Sequence, residues 1–203
     1  MKLLLASGNK HKLDEFRDIF RLLDSPFLIE GMTIPDVVET GVTYYQNAFK
    51  KARVGLRQIS GTCDAADTVV LADDSGLELD GYAGMLGVRS ARYVYNGMLA
   101  QSGLIAFLQT HEIMAVQARF VCCIVAFMPG ASRCISCVGT VRGTVMPESR
   151  GAGGFGYDSL FTVAGMTLTL GELPAVQKDR VSHRALAAAS FLHLIQDTGQ
   201  LRP

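Results

Sequence analysis

The residues of this chain that could do chemistry gather at a few points. The apolar run Thr68 to Ala72 ends in two adjacent acids, Asp73 and Asp74, followed by Ser75 and Gly76. A run rich in β-branched residues reads as a buried strand, and carboxylates at its carboxyl end face the place where open α/β sheets bind ligands. A metal or phosphate site is the first expectation; the alternative is that one acid caps a turn with Ser75 and Gly76 while the other is solvated. Ser7-Gly8-Asn9 stands where the strand-like "KLLLA" hands over to a helix. Its backbone N–H groups and the helix dipole form a cradle for phosphate oxygens, and Lys12, one turn further on, adds positive charge. Taken alone this is not a P-loop, and it also fits an Asn helix cap followed by a solvated lysine. Glu39 precedes a second helix, on which Asn47 and Lys51, four residues apart, share a face and could point at one ligand. Lys50 and Arg53 read as its solvated face. Glu39, Asp73 and Asp74 together offer three hard oxygen donors, which suit Mg²⁺ bound along with phosphates and do not suit zinc.

Two further clusters follow. "GGFGYD", residues 153–158, offers a pliant backbone, two aromatic rings and a carboxylate; a base could stack on Phe155 with Gly156 allowing close approach, though such rings also serve as core plugs under loops. "QKDRVSHR" places Lys178, Ser182, His183 and Arg184 at the start of a helix, poor ground for cations unless an anionic or acceptor-rich ligand sits there. Cys134 and Cys137 form a C-x-x-C, but on a strand residues three apart face opposite ways, and no second pair completes a tetrahedral zinc site. They read as small buried hydrophobes.

The elements that must position these groups are legible from periodicity. After the first strand, Leu13, Phe16, Ile19, Phe20 and Leu23 recur at helical spacing. Thr43-Tyr-Tyr-Gln46 has the form of a capping box, followed by a stripe of Ala48, Phe49, Ala52, Leu56 and Ile59. A helix is predicted over 99–109, and "RFVCCIVAFM" and "CISCVGTVRGTV", joined by "PGAS", read as a hairpin, which makes the sheet mixed. Ser182 is the expected N-cap of a last helix carrying Leu186, Ala189, Leu192 and Ile195 or nearby apolar positions. The 203 residues, 49% of them hydrophobic, fit one domain, with room for two lobes. With 19 basic against 19 acidic residues there is no global basic field for nucleic acid or an anionic membrane. The apolar start is too short for a signal-peptide core and no stretch reaches membrane-spanning length, so a cytoplasmic protein is expected, in keeping with five cysteines, an odd number.

Five stretches in order, "ASGNKHKLDEF", "ETGVTYYQNAFKKA", "LADDSGLELDGYAGMLGVRSARY", "GGFGYDSLF" and "KDRVSHRALA", resemble the sequential motifs of the inosine triphosphate pyrophosphatase family. The resemblance covers nearly the whole chain. It implies an elongated mixed α/β fold, a sheet flanked by helices, in two lobes with a nucleotide cleft between them, a homodimer, Mg²⁺ on the phosphates, and hydrolysis of non-standard purine nucleoside triphosphates (ITP, dITP, XTP) to monophosphate and pyrophosphate. Carried over by matching position, the phosphate-binding stretch is Ser7, Gly8, Asn9, Lys10, His11 and Lys12, with Lys51 as a further contact. Glu39, Asp73 and Asp74 hold the metal, and Asp74 is the proton acceptor. Ser75, Phe155, Gly156, Tyr157, Asp158, Lys178, His183 and Arg184 contact the substrate. The chain departs from the family pattern at Ser7, at Leu86 and Ser159, where proline is expected, and at Ala185 in place of glycine. These changes touch loop rigidity rather than reacting groups. The Maf-like nucleotide pyrophosphatases share the general architecture, but their Ser-Pro-Arg-Arg opening is absent here. A nucleotide sensor without turnover is the rival of another class, although binding alone would not need the whole set of acids and lysines.

Overall fold

The computed structural model describes residues 2–35, 37–129 and 134–197. Its main sheet has six strands in the order β2-β1-β3-β6-β7-β8: β1 Lys2–Ala6, β2 Ile29–Met32, β3 Thr68–Leu79, β6 Val116–Phe127, β7 Cys134–Val145 and β8 Phe161–Val163. β1 runs parallel to both β2 and β3, while β7 and β8 are antiparallel, so the sheet is mixed as expected. A two-stranded ribbon, β4 Val94–Tyr95 with β5 Met98–Leu99, leads into helix α3, Ala100–Thr110. The "PGAS" turn lies, from residue 130 onward, outside the described residues.

The chain divides into two compact units, residues 1–74, 122–139 and 184–203 in one, 75–121 and 140–183 in the other. In the first, β1 sits between β2 and β3, so the chain leaves β1 toward one neighbour and returns by β3 on the other side, the arrangement that opens a binding site at the carboxyl ends of strands. Helices α1, Lys10–Leu22, and α5, His183–Asp197, cover one face: Phe16, Ile19, Phe20, Ala187, Ala188 and Phe191 pack with Leu3, Leu5, Val69, Leu71, Cys122 and Ile124. Helix α2, Tyr44–Ile59, covers the other, where Ala48, Ala52 and Ile59 pack with Ala6, Val70, Ala72, Cys123 and Val125. Successive strand residues thus alternate between the two cores, as strand geometry requires. The two cysteines of the C-x-x-C obey the same rule, Cys137 in the first core and Cys134 against the second.

The helix ends form as their sequences dictate. Asn9 caps α1, its Oδ1 accepting from the Lys12 N–H at 3.2 Å. Thr43 caps α2 through the Gln46 N–H at 3.2 Å; Gln46 reaches back to the N–H of Val42 at 2.7 Å, one residue earlier than a standard capping box. The last helix buries Leu192 and Ile195 as expected and completes the stripe from the nearby Ala185, Ala187, Ala188 and Phe191, while Leu186 is 44% exposed. In so alanine-rich a helix, close packing of small residues on the sheet outweighs the hydrophobicity of one leucine.

The second unit builds its core from Leu77, Leu79, Leu104, Leu108, Phe120, Val145, Leu160 and Phe161. Leu86, standing where a proline was expected, is buried in the same core. Close by, a Cβ on Gly76 would strike the Gly87 carbonyl and the Ser90 hydroxyl, so only glycine lets this loop lie against β3.

Candidate active site

In the first unit the strand alternation carries on past the hydrophobic residues of β3 and separates its two acids. Asp73 continues the Val69–Leu71 face and meets α1 and α5: Lys12 Nζ donates to its Oδ2 at 2.8 Å and Arg184 Nε stands 3.9 Å away. Asp74 continues the Val70–Ala72 face and meets α2: Asn47 Nδ2 donates to its Oδ2 at 3.0 Å, and Lys51 Nζ lies 3.4 Å from its Oδ1. Lys51 also donates to Glu39 Oε1 at 2.8 Å. The expected metal set Glu39, Asp73 and Asp74 is therefore divided. Glu39 and Asp74 share one cationic neighbour, whereas Asp73 lies between two other cations on the opposite face. Among the described residues no three His, Cys, Asp or Glu side chains converge on a common point. Two carboxylate donors, with water and phosphate oxygens completing the shell, remain a fit for Mg²⁺, which is commonly held by one or two carboxylates.

Burial and charge set these acids apart. Burial alone would raise the Asp73 pKa, but Lys12, Arg184 and Lys51 outweigh it and hold the carboxyl well below the usual range. At Asp74 burial prevails, with Glu39 adding to it, over the pull of Lys51, the Asn47 amide and Lys12, and its pKa is raised. Burial works against the charge of Lys51, yet Asp73, Asp74 and Glu39 more than compensate, so its pKa is raised too. Of the two adjacent acids, Asp74 is the more basic.

Ahead of α1, the Ser7 hydroxyl accepts from the Asn9 N–H at 3.2 Å, so the departure from the family pattern at Ser7 leaves a hydroxyl that forms the turn. Gly8, Asn9, Lys10 and His11 are exposed at the positive end of α1, and Lys12 is half-buried. Arg184, expected to read the base, is buried and directed to Glu15, whose Oε2 accepts from its Nη1 at 3.2 Å. Glu15 carried no signal in the sequence beyond lying one turn after Lys12.

The second unit gathers the other expected substrate contacts. Lys178 Nζ pairs with Asp158 Oδ2 at 2.8 Å, both nearly inaccessible, and stands 5.0 Å from the centre of the half-buried Phe155 ring, within cation–π reach. Asp158 Oδ2 also accepts from the Phe155 N–H at 2.8 Å, and a Cβ on Gly154 would strike that carboxylate. The glycine-rich loop is thus folded around one acid. Gly156 is exposed and Ser75 half-buried. Tyr157 differs from expectation: it is buried in the core, its hydroxyl donates to the Ser90 carbonyl at 2.6 Å, and burial, with Tyr93 adding, pushes its pKa well up. Its hydroxyl ties "GFGYD" to "SARY" instead of meeting a ligand. His183 is buried with its ring stacked on Phe120, 4.6 Å between centres and 8° between planes. Ser159, in place of proline, joins a polar chain with Ser149 and Gln101 at 2.8 and 2.7 Å.

Carboxylates paired with lysines beside a strand-to-helix turn place this site in a mixed α/β protein. The Ham1 family model matches residues 3–194, and the chain belongs to that family. It is 37% identical to a dITP/XTP pyrophosphatase of Frankia alni over 97% of this chain and 98% of that protein. It is likewise 37% identical to a dITP/XTP pyrophosphatase of Geobacter sulfurreducens, over 93% of each. Among solved structures, a HAM1 protein from Coxiella burnetii superposes with a TM-score of 0.77 at 30% identity, over 97% of this chain and 99% of that one. The family expected from the sequential motifs is borne out. Among the described residues no helix is long and apolar enough to cross a membrane.

Proposed function

We propose that this protein hydrolyses ITP, dITP and XTP to the nucleoside monophosphate and pyrophosphate, clearing them from the nucleotide pool. The observation that carries this reading is the fixing of Lys12 and Lys51 by Asp73, Asp74 and Glu39 within one unit. Ammonium groups already held by carboxylates can receive the triphosphate without reorganising, which is how preorganised charge lowers a barrier. The turn Ser7–Asn9 with Lys10, His11 and Lys12 binds phosphate oxygens, and Lys51 neutralises the departing pyrophosphate. Glu39 and Asp74 would hold Mg²⁺, whose charge would offset that of the phosphate oxygens. Asp73, on the opposite face, fixes Lys12. Water attacks the α-phosphorus, Asp74 takes its proton, and the bond to the bridging oxygen breaks with its electron pair leaving on pyrophosphate.

Selectivity belongs to Ser75, Phe155, Gly156, Asp158, Lys178 and His183, while Tyr157 shapes their loop from below and Arg184, turned to Glu15 and Asp73, belongs to the charged network. A 6-oxo purine presents an acceptor where adenine presents an amino donor, and buried donors left facing a donor discriminate against ATP by about 10⁴ or more. GTP, which shares the 6-oxo group, is excluded by the space around position 2. The same reading makes the chain a single pyrophosphatase domain, a cytoplasmic enzyme and a homodimer; light scattering tests the last. The deciding experiment measures pyrophosphate release from ITP, XTP, dITP, ATP, GTP and dTTP with and without Mg²⁺. Mg²⁺-dependent release confined to ITP, XTP and dITP is expected. Release chiefly from pyrimidine or standard nucleotides, or binding without release, would contradict the reading.

A further inference from the structure

Asn47 lies on α2 with no exposed surface, four residues from Lys51, and its amide is engaged at both its nitrogen and its oxygen. Nδ2 donates to Asp74 Oδ2 at 3.0 Å, and Oδ1 accepts from the Gly41 N–H at 2.8 Å. The chemistry of the partners fixes which way the amide points, since a backbone N–H only donates and a carboxylate only accepts. Few side chains fit this position. An aspartate would keep the acceptor for Gly41 but set a second carboxylate against Asp74, and a leucine would leave both groups buried without a partner.

The amide therefore joins the two parts of the Glu39–Asp74 pair. On one side it occupies Oδ2 of Asp74, so that Oδ1 is the oxygen turned toward the Lys51 ammonium, 3.4 Å away. On the other it holds the backbone at Gly41, two residues beyond Glu39, whose carboxylate meets the same ammonium at 2.8 Å. Gly41 is shaped for this contact: a Cβ there would strike Asn47 Oδ1. We propose that Asn47 is a positioning residue for the hydrolysis, selecting Oδ1 of Asp74 as the working oxygen and locking the Glu39 loop so that both carboxylates address one cationic centre. This rests on the pyrophosphatase reading above.

Asn47→Ala and Gly41→Ala attack the same contact from its two ends. For each, kcat on ITP is expected to fall 10- to 100-fold, the usual cost of removing a group that orients a metal ligand, with KM changing less than about threefold. Calorimetric titration of the nucleotide-free protein with MnCl₂ should show affinity weakened by a similar factor, a readout independent of turnover. The double variant should lose no more than the worse single one, because both break one latch. If Asn47→Ala does not fold, Gly41→Ala carries the test, since it keeps the amide and adds one methyl group. A folded variant with kcat and Mn²⁺ affinity within about twofold of the unaltered protein would overturn the proposal, as would losses that multiply in the double variant. No pyrophosphate release by the unaltered protein would instead bring down the pyrophosphatase reading and this inference with it.

Discussion

The two units of this protein use charge differently. In the first, Asp73, Asp74, Glu39, Lys12, Lys51, Arg184 and Glu15 form a network in which four groups are buried, three are half-buried, and each faces an opposite charge. In the second, the expected substrate contacts include the ion pair of Lys178 with Asp158, set among rings and a glycine-rich turn. Buried charge is costly unless paired, so a concentration of it far beyond what packing requires marks where a highly charged ligand is to be met. Rings and one fixed lysine suit a flat, nearly neutral ligand such as a purine, recognised by stacking and a few hydrogen bonds. In the proposed function the first unit serves the chemistry of the phosphates and the second the choice of base.

The largest blow to this division is expected from Asp74→Asn, which keeps size and removes basicity. Turnover of ITP should fall about 10³-fold while binding persists, as read by pyrophosphate release beside calorimetry; undiminished turnover would remove Asp74 from its role. Next comes Asp73→Asn, which leaves Lys12 and Arg184 facing a neutral group in a buried place. A loss of about 3 kcal/mol in stability at pH 7 is expected by chemical denaturation of the metal-free protein. Because the Asp73 pKa is depressed in the folded state, its contribution is whole above the ordinary value of 3.8 and is lost as pH falls below it toward the folded value. The gap between Asp73→Asn and the unaltered protein should therefore narrow below about pH 4. Asp74, with its pKa raised, acts in the opposite sense: its ionised form costs stability, and acid relieves that cost. The smallest effect is expected from Phe155→Ala, a rise in KM for ITP of roughly tenfold, equal to the loss of one stacking contact, with kcat little changed.

Much of the fold and part of the site were legible in the sequence. The strand-turn-helix at Ser7–Lys12, the Thr43 cap, and Asn47 and Lys51 on one helix face all follow from local rules that tertiary packing left intact. The separation of Asp73 from Asp74 was implicit in the period-2 rule, yet Glu39, Asp73 and Asp74 were grouped as three hard oxygen donors by residue type and family resemblance, although neighbours on a strand face opposite ways. Other results depended on the fold. Arg184 and His183 are neighbours in sequence, but one turns to Glu15 and the other to Phe120. Tyr157 looks like a ligand-facing ring in "GFGYD", and only the position of the Ser90 carbonyl shows where its hydroxyl is used. Asn47 reads as a ligand contact until Gly41 and Asp74 are seen to occupy its amide.

The most direct test of the division between chemistry and choice is the ratio of kcat/KM for ITP to that for ATP, measured in the unaltered protein, in Asp74→Asn and in Lys178→Met, which removes a buried donor from the second unit. Asp74→Asn should lower both rates together and leave the ratio within about threefold, while Lys178→Met should shrink the ratio, since the donor that an acceptor at position 6 would satisfy is gone. A ratio that collapses in Asp74→Asn, or that is unmoved in a folded Lys178→Met, would contradict the assignment of phosphate chemistry to one unit and base recognition to the other.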